Sequence, residues 1–286
     1  LEYRIRADAF STEMAMPVLY QSMVPSRVAG VLYTLDPNLP EREETILSAT
    51  WGLGTSVVGG DAAADTFRAS REPPHRVIDQ DIHSKLWMQV PGAPGPRGEV
   101  PQDLQDAPSL TPQDIARIVE TGLVLERYFK QPLDVEWSLD HTGKLWVLQA
   151  RPMHVSTPES LPRPDSSEIA RSHRIVMSDC GTIAYRGIGA GQVWIPRDES
   201  DLSGFPTGAV LVSRSAAPAL AKAVPKASAI VTDLGTTTGH LATVAREFRV
   251  PTIVDTRVAT QLLRGEDVVT VDAEENVIYR GRVHGL

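Results

Sequence analysis

The chain has 286 residues, 42% of them hydrophobic and 22% charged, which supplies core material for two ordinary domains or one large one and argues against disorder of the whole. A formal net charge of −8 weighs against a nucleic-acid partner, whose footprint is a basic patch. No uncharged apolar run approaches the roughly 20 residues that cross a bilayer, so no membrane partner is expected. The start, Leu1-Glu2-Tyr3-Arg4, has neither a signal-peptide pattern nor an initiator Met, and the expectation is a fragment or a processed product. The single cysteine, Cys180, has no internal partner for a disulfide, which fits a reducing cytoplasm.

In chain order, Gly30 to Leu35 and Thr45 to Ala49 are short and rich in β-formers, and both are predicted as strands. Pro91 to Pro101 is dense in Pro and Gly and predicts an exposed loop. Thr111-Pro112-Gln113-Asp114 is a helix start, with a Thr cap, Pro in the first helical position and an acid three residues after the cap. Apolar residues follow at Ile115, Ile118, Val119 and Leu123, less regularly at Leu125 and Phe129, predicting a helix to about Lys130. Val135 to Leu139 and Lys144 to Ala150 flank Asp140-His141-Thr142-Gly143, the pattern of a β-hairpin with a Gly-containing turn.

Side chains alternate faces along a strand, so Gln149 and Arg151 share one. With an even-numbered turn, Glu136 stands opposite Val147 and joins them. Two readings stand. Hard oxygens from Glu136 and Gln149 suit Mg²⁺ while the forked guanidinium of Arg151 suits a phosphate. The plainer reading is a solvated face carrying a Glu–Arg ion pair.

Ser156-Thr-Pro-Glu-Ser-Leu-Pro-Arg-Pro-Asp-Ser-Ser167 has one apolar side chain and cannot fold by itself, which marks a linker. The boundaries are a first domain over 1–154, a linker over 155–172 and a second domain over 173–286, of mixed α and β class throughout. In the second domain Val210–Ser213, Ala229–Thr232, Val268–Val271 and Val277–Tyr279 read as strands. A turn-rich loop, Asp233 to Gly239, leads to His240 at the start of a helix whose stripe of Leu241, Val244, Ala245 and Phe248 should face the core. Pro251 to Val254 restarts β structure, giving a βαβ unit expected to be right-handed.

His240 thus lies beyond the carboxyl end of a strand and in a helix's first turn, where free N–H groups and the positive helix end favour an anion. Gly235 and Gly239 allow the loop to bend back and expose those donors. Imidazole can act as a nucleophile near neutral pH, although on local features alone a capping or structural His is the plainer reading. The loop lacks the Lys-Ser/Thr ending of a P-loop. Arg246 and Glu247 either orient the loop or form an exposed helical pair. His75, His83, His141, His154, His173 and His284 show no ligand spacing, so no structural zinc is expected. The five tryptophans read as packing residues and Cys180 as inert.

Four stretches, in order, resemble PEP-utilising enzymes of the PEP synthase and pyruvate phosphate dikinase type. They are Met23-Val-Pro-Ser-Arg-Val-Ala-Gly-Val-Leu-Tyr-Thr-Leu-Asp-Pro37, Trp51-Gly-Leu-Gly54, the hairpin from Asp134 to Pro152, and Ala229 to Val254 around His240. The resemblance covers almost the whole chain. It implies the C-terminal part of an ATP-grasp domain followed by a swivelling β/β/α phosphohistidine domain. His240 would take a phosphoryl group from ATP and carry it to an acceptor such as pyruvate. Gly235, Thr236, Thr237, Thr238 and Gly239 would form the phosphate loop, Glu136 and Gln149 would hold Mg²⁺ or approach the nucleotide, and Arg151 would bind phosphate. Some plant dikinases carry a regulatory threonine at the position of Thr238.

The chain also departs from the family. Gly-Gly-Arg/Met-Thr-Ser/Cys-His is replaced by Gly235-Thr-Thr-Thr-Gly-His240, and Thr55 stands where Glu usually follows Trp-Gly-Leu-Gly. The front half of the ATP-grasp fold and the C-terminal acceptor-binding barrel are absent from this chain, which alone is expected to be defective in ATP hydrolysis and PEP synthesis. The order of domains sets it apart from rifampin phosphotransferase, a more distant alternative. A non-catalytic binding or regulatory module is the other.

Overall fold

The computed structural model describes residues 18–59, 63–90, 97–153, 155 and 173–283. Apart from Val155, the expected linker at 155–172 and its junction with the second domain lie outside this set as far as residue 172.

The first block is a six-stranded antiparallel sheet in the order β4-β3-β2-β1-β7-β8. Its strands are β1 (Ser26–Tyr33), β2 (Glu44–Trp51), β3 (Asp65–Ser70), β4 (Val77–Asp81), β7 (Leu133–Asp140) and β8 (Leu145–Pro152). A small hairpin, β5 (Trp87–Gln89) with β6 (Arg97–Glu99), lies beside it. The loop expected over Pro91–Pro101 therefore needs correction. Its tail pairs as β6, and Val100 is buried in the core, because a β-strand partner and an apolar slot outweigh the local Pro and Gly signals; residues 91–96 lie outside the described set.

β1 and β2 are buried along nearly their whole length, which alternation alone does not produce. They are covered on both faces. On one face lies α3 (Pro112–Phe129), preceded by two short helices, α1 (Thr55–Gly59) and α2 (Gln102–Gln105). Thr111 caps α3 by accepting from Asp114 N while the Asp114 carboxylate accepts from Thr111 N, and Lys130 ends it in the left-handed region at φ +57°. Ile115, Ile118, Val119 and Leu123 pack with Leu32, Leu47, Phe67 and Trp137. Gly122 lets α3 approach, since a Cβ there would stand 2.2 Å from Leu32 Cδ2. The opposite face carries a smaller cluster of Val31, Tyr33, Ile46, Val57 and Ala64.

The second block is an eight-stranded mixed sheet in the order β10-β14-β13-β12-β11-β15-β16-β9. Its parallel centre is β11 (Ile188–Trp194), β12 (Val210–Ser213), β13 (Ala229–Thr232) and β14 (Thr252–Val254). β9 (Ile175–Ser178), β10 (Thr182–Tyr185), β15 (Val268–Asp272) and β16 (Val277–Arg280) add antiparallel neighbours. The expected βαβ unit is β13, α4 (His240–Phe248) and β14, with the two strands adjacent and parallel. α4 buries Leu241, Ala242 and Ala245, and Leu241 and Ala245 pack with Leu211 and Ile230. Phe248, expected on that stripe, is 43% exposed. The helix stops there at Arg249 in the left-handed region, and Val250 turns back to fill the core position, its N–H bonding Ala245 O. α5 (Ala259–Leu262) covers the other face through Ala259.

Candidate active site

The face of the first sheet opposite α3 is built in rows across three strands. Tyr33 on β1 pairs with Asp134 on β7, which pairs with Arg151 on β8. Two residues along, Val31 pairs with Glu136 and Glu136 with Gln149. Glu136, Gln149 and Arg151 therefore do share one face, but the expected pairing of Glu136 with Val147 is corrected. Two departures cancel. Leu139 pairs with Leu145 across a five-residue connection, an odd number that would place Glu136 against Leu148. Between Trp137↔Val147 and Glu136↔Gln149 the ladder shifts by one, with Leu148 as the extra residue of a β-bulge. The bulge restores Gln149 and Arg151 to the face of Glu136.

The turn is set by Asp140, whose Oδ1 accepts from Thr142 N, Thr142 Oγ1 and Lys144 N while Oδ2 accepts from Trp146 Nε1. These donors hold its carboxyl far below the usual carboxylate range. Gly143 closes the turn at φ +80°.

Arg151 does not pair with Glu136. Its Nε and Nη2 donate to Asp134 Oδ2 at 2.9 and 2.7 Å. Asp134 was missed as a site residue, although its spacing two residues before Glu136 was the available signal. Burial raises the Asp134 carboxyl, and the charge and hydrogen bonds of Arg151 oppose this only in part. Burial also raises Glu136; the nearby Asp134 charge adds to it, and Arg151 works against it. Two acids thus share one partly enclosed face, and the Arg151 guanidinium donates to Asp134 of the pair.

His240 is the first residue of α4, half-buried, with Gly239 as the cap residue. The first N–H groups of such a helix have no acceptor within it and remain for an anion. Gly235 adopts φ +142°, and a Cβ there would stand 2.8 Å from Ala216 Cβ, so glycine is required. Gly239 is extended at φ −72°, and its N–H donates to Thr236 O at 3.1 Å. The loop therefore closes as a turn on Thr236, and Gly239 needs no left-handed conformation there. The side chains of Thr236, Thr237 and Thr238 are buried, and the hydroxyls of Thr236 and Thr238 face each other at 3.3 Å. Any contact of this loop with phosphate falls to its backbone and to the start of α4.

The loop is clamped to the first sheet. Arg246, one and a half turns along α4, donates through Nη2 to Thr237 O and through Nη1 to Tyr33 Oη at 3.0 Å. Its guanidinium carbon lies 5.0 Å from the Tyr33 ring centroid, a cation–π arrangement. Tyr33 Oη also meets Thr243 Oγ1 at 3.2 Å. Of the two readings of Arg246, loop orientation is the one realised. The loop meets α1, which directly follows Trp51-Gly-Leu-Gly54. Gly52 at φ +76° bridges to Gln89, Thr55 Oγ1 donates to Gln89 Oε1 at 2.8 Å, and Val57 O faces Gly239. The helix bearing His240 is therefore docked on the sheet face that carries Glu136, Gln149, Asp134 and Arg151. Tyr33 was invisible as a site residue in the sequence, because its role depends on a contact 210 residues away.

The other reactive side chains are accounted for more simply. Cys180 is half-buried and its thiol donates to Ser178 O. Trp51 and Trp137 are core residues, while Trp146 lies at the exposed edge under Lys144.

Residues 1–170 match the pyruvate phosphate dikinase AMP/ATP-binding domain. The chain belongs to that family. Residues 205–276 match the mobile domain of PEP-utilising enzymes, so the two sheets correspond to an AMP/ATP-binding part and a mobile part. A probable phosphoenolpyruvate synthase of Archaeoglobus fulgidus is 31% identical over 98% of this chain and 37% of its own length. A probable phosphoenolpyruvate synthase of Pyrococcus horikoshii is 31% identical over 99% of this chain and 35% of its own. The phosphoenolpyruvate synthase of Escherichia coli is 30% identical over 96% of this chain and 36% of its own. The chain thus spans little more than a third of the length of the curated relatives it matches. Among the described residues, no helix is long and apolar enough to cross a membrane.

Proposed function

We propose that this chain performs the histidine step of an ATP-dependent phosphoryl relay in the cytoplasm. One ring nitrogen of His240 attacks a phosphorus of ATP, an N–P bond forms, and the P–O bond to the departing nucleotide fragment breaks. The first turn of α4 then stabilises the phosphorylated ring, and the mobile domain carries the group to an acceptor. The observation that carries this reading is the docking of the His240 helix, through Arg246 and Tyr33, on the sheet face that holds Glu136, Gln149 and Arg151. The similarity to phosphoenolpyruvate synthases supports a pyruvate-like acceptor.

The raised carboxyl of Glu136 beside Asp134, with the amide oxygen of Gln149 opposite, fits a hard cation. Glu136 and Gln149 would hold Mg²⁺, which when bound supplies charge neutralisation for the transferring phosphates. Arg151, steered by Asp134, presents a guanidinium toward a phosphate oxygen. The front half of an ATP-grasp domain and a C-terminal acceptor-binding domain complete the machinery in this reading, and they are the partners of this chain.

The test is phosphorylation of the full-length protein with β- and γ-labelled ATP. Acid-labile, alkali-stable label is expected on His240 and is lost in His240→Ala. Absence of label from both positions in the wild-type protein overturns the relay in favour of a non-catalytic binding module.

A further inference from the structure

Between the two sheets lies a second cluster that the phosphoryl chemistry leaves unused. Asp81 ends β4 and His83 follows it; Asp255 and Arg257 lie just after β14. His83 Nε2 is 2.8 Å from Asp255 Oδ2 and 3.9 Å from Asp81 Oδ2. Arg257 Nη2 lies 3.2 Å from Asp81 Oδ2, 3.3 Å from Asp255 Oδ2 and 2.8 Å from His83 Nε2. Asp81, His83 and Asp255 are a donor set compact enough for a metal ion. The guanidinium nitrogen already stands among all three, so the chain itself supplies the cation.

Three features separate this cluster from incidental surface ion pairs, which contribute little. First, each half comes from a different sheet. Second, His83 and Asp255 are enclosed, each with a side chain only 11% exposed, although Arg257 and Asp81 are 55% exposed. Third, the first-sheet half is mounted on a rigid anchor. His83 N donates to Asp65 Oδ1 at 3.0 Å, His83 O accepts from Lys85 Nζ at 2.6 Å, and Lys85 pairs with Asp65 in full burial. On the mobile side, Asp255 and Arg257 both adopt left-handed backbone, at φ +59° and +64°, which aims their side chains across the interface.

We propose that Asp81, His83, Asp255 and Arg257 form an interdomain latch that holds the mobile domain docked on the ATP-binding sheet and opens when His240 leaves it. Its use rests on the relay reading, but its existence can be tested without ATP.

Spin labels at Glu72→Cys and Glu199→Cys, in a full chain carrying Cys180→Ser, report the distance between the two blocks by pulsed electron resonance. One short distance is expected for the otherwise unaltered protein. Asp255→Asn and Arg257→Gln should each lower the ratio of docked to undocked molecules by about fivefold, in the range of a well-formed pair. Lys226→Gln, a surface charge change away from the cluster, should leave the ratio unchanged. Raising salt from about 0.05 M to about 1 M, where screening is nearly complete, should undock the unaltered chain and have little further effect on the Asp255→Asn, Arg257→Gln double variant. Unchanged distances in both single variants overturn the latch. If the variants fail to fold, an unaltered chain whose distances ignore salt overturns it, and one that opens with salt supports it. Failure of His240 labelling leaves this readout untouched, so the two readings fail separately.

Discussion

Asp134 and Glu136 are two residues apart on one strand, so both carboxylates face the same way, and Arg151 reaches only the first. Asp134→Asn removes the like charge that helps to raise Glu136, and the Glu136 carboxyl should then titrate lower, toward the usual glutamate value of about 4.3. Side-chain carbonyl NMR across a pH series measures this directly. The same experiment with millimolar Mg²⁺ on the unaltered chain should also lower Glu136; no movement argues against a cation at this pair. Because the carboxyl is raised in the fold, its contribution to stability is present below the unfolded value and is lost as pH rises through the folded one. The substitution also leaves the partly exposed Arg151 without its partner, at a cost of about 1 kcal/mol. That Gln149 and Arg151 share a face was legible because strand alternation is a local rule, whereas Glu136 joins them only because the five-residue connection and the bulge cancel. The exclusion of Glu136 from the ion pair was not legible, since it depends on which strand lies alongside which, and neither was Tyr33, whose partners lie on the distant α4.

At the scale of elements, α3 announces itself most clearly. Thr111, Pro112 and Asp114 encode its start chemically, and the capping box forms as the spacing requires. Thr111→Ala removes both the acceptor for Asp114 N and its reciprocal support, and should lower stability by about 1 kcal/mol in a urea titration with an unchanged slope. An unaltered midpoint would show that the first turn is held by packing alone. α4 was less legible at its far end. Phe248 continues the helical stripe in sequence, but the left-handed turn at Arg249 hands the core position to Val250. The hairpin was legible in kind, while its register was not: a five-residue connection and a one-residue bulge each shift it, and neither leaves a signature in composition. The Pro and Gly of residues 91–101 pointed to a loop where the chain closes β6 and buries Val100.

For the molecule as a whole, the relation between the two sheets rests on long-range contacts that no window of sequence reveals. Asn38 Nδ2 donates to Ile183 O, Arg246 reaches Tyr33, and His83 meets Asp255. The His83 imidazole is raised above its ordinary value chiefly by its hydrogen bond to Asp255. Burial opposes this, the charges of Asp255 and Asp81 add to it, and Arg257 works against it. Asp65 and Lys85 touch only its backbone. A group raised in the docked state favours docking below about pH 6.5, and that contribution fades as pH climbs through the raised value. NMR titration should therefore place His83 above 6.5 in the unaltered chain and nearer 6.5 in Asp255→Asn. A higher value still is expected in Arg257→Gln, and no difference among the three would mean that the ring does not sense the opposite block. The extra residue at Leu148 has a consequence at this scale too. Among the described residues β8 is the edge of its sheet, with Trp146 and Val147 exposed, a seam onto which the strand of another molecule could zip. By interrupting the even run of amides and carbonyls, the same insertion that aims Gln149 also discourages chains from adhering edge to edge.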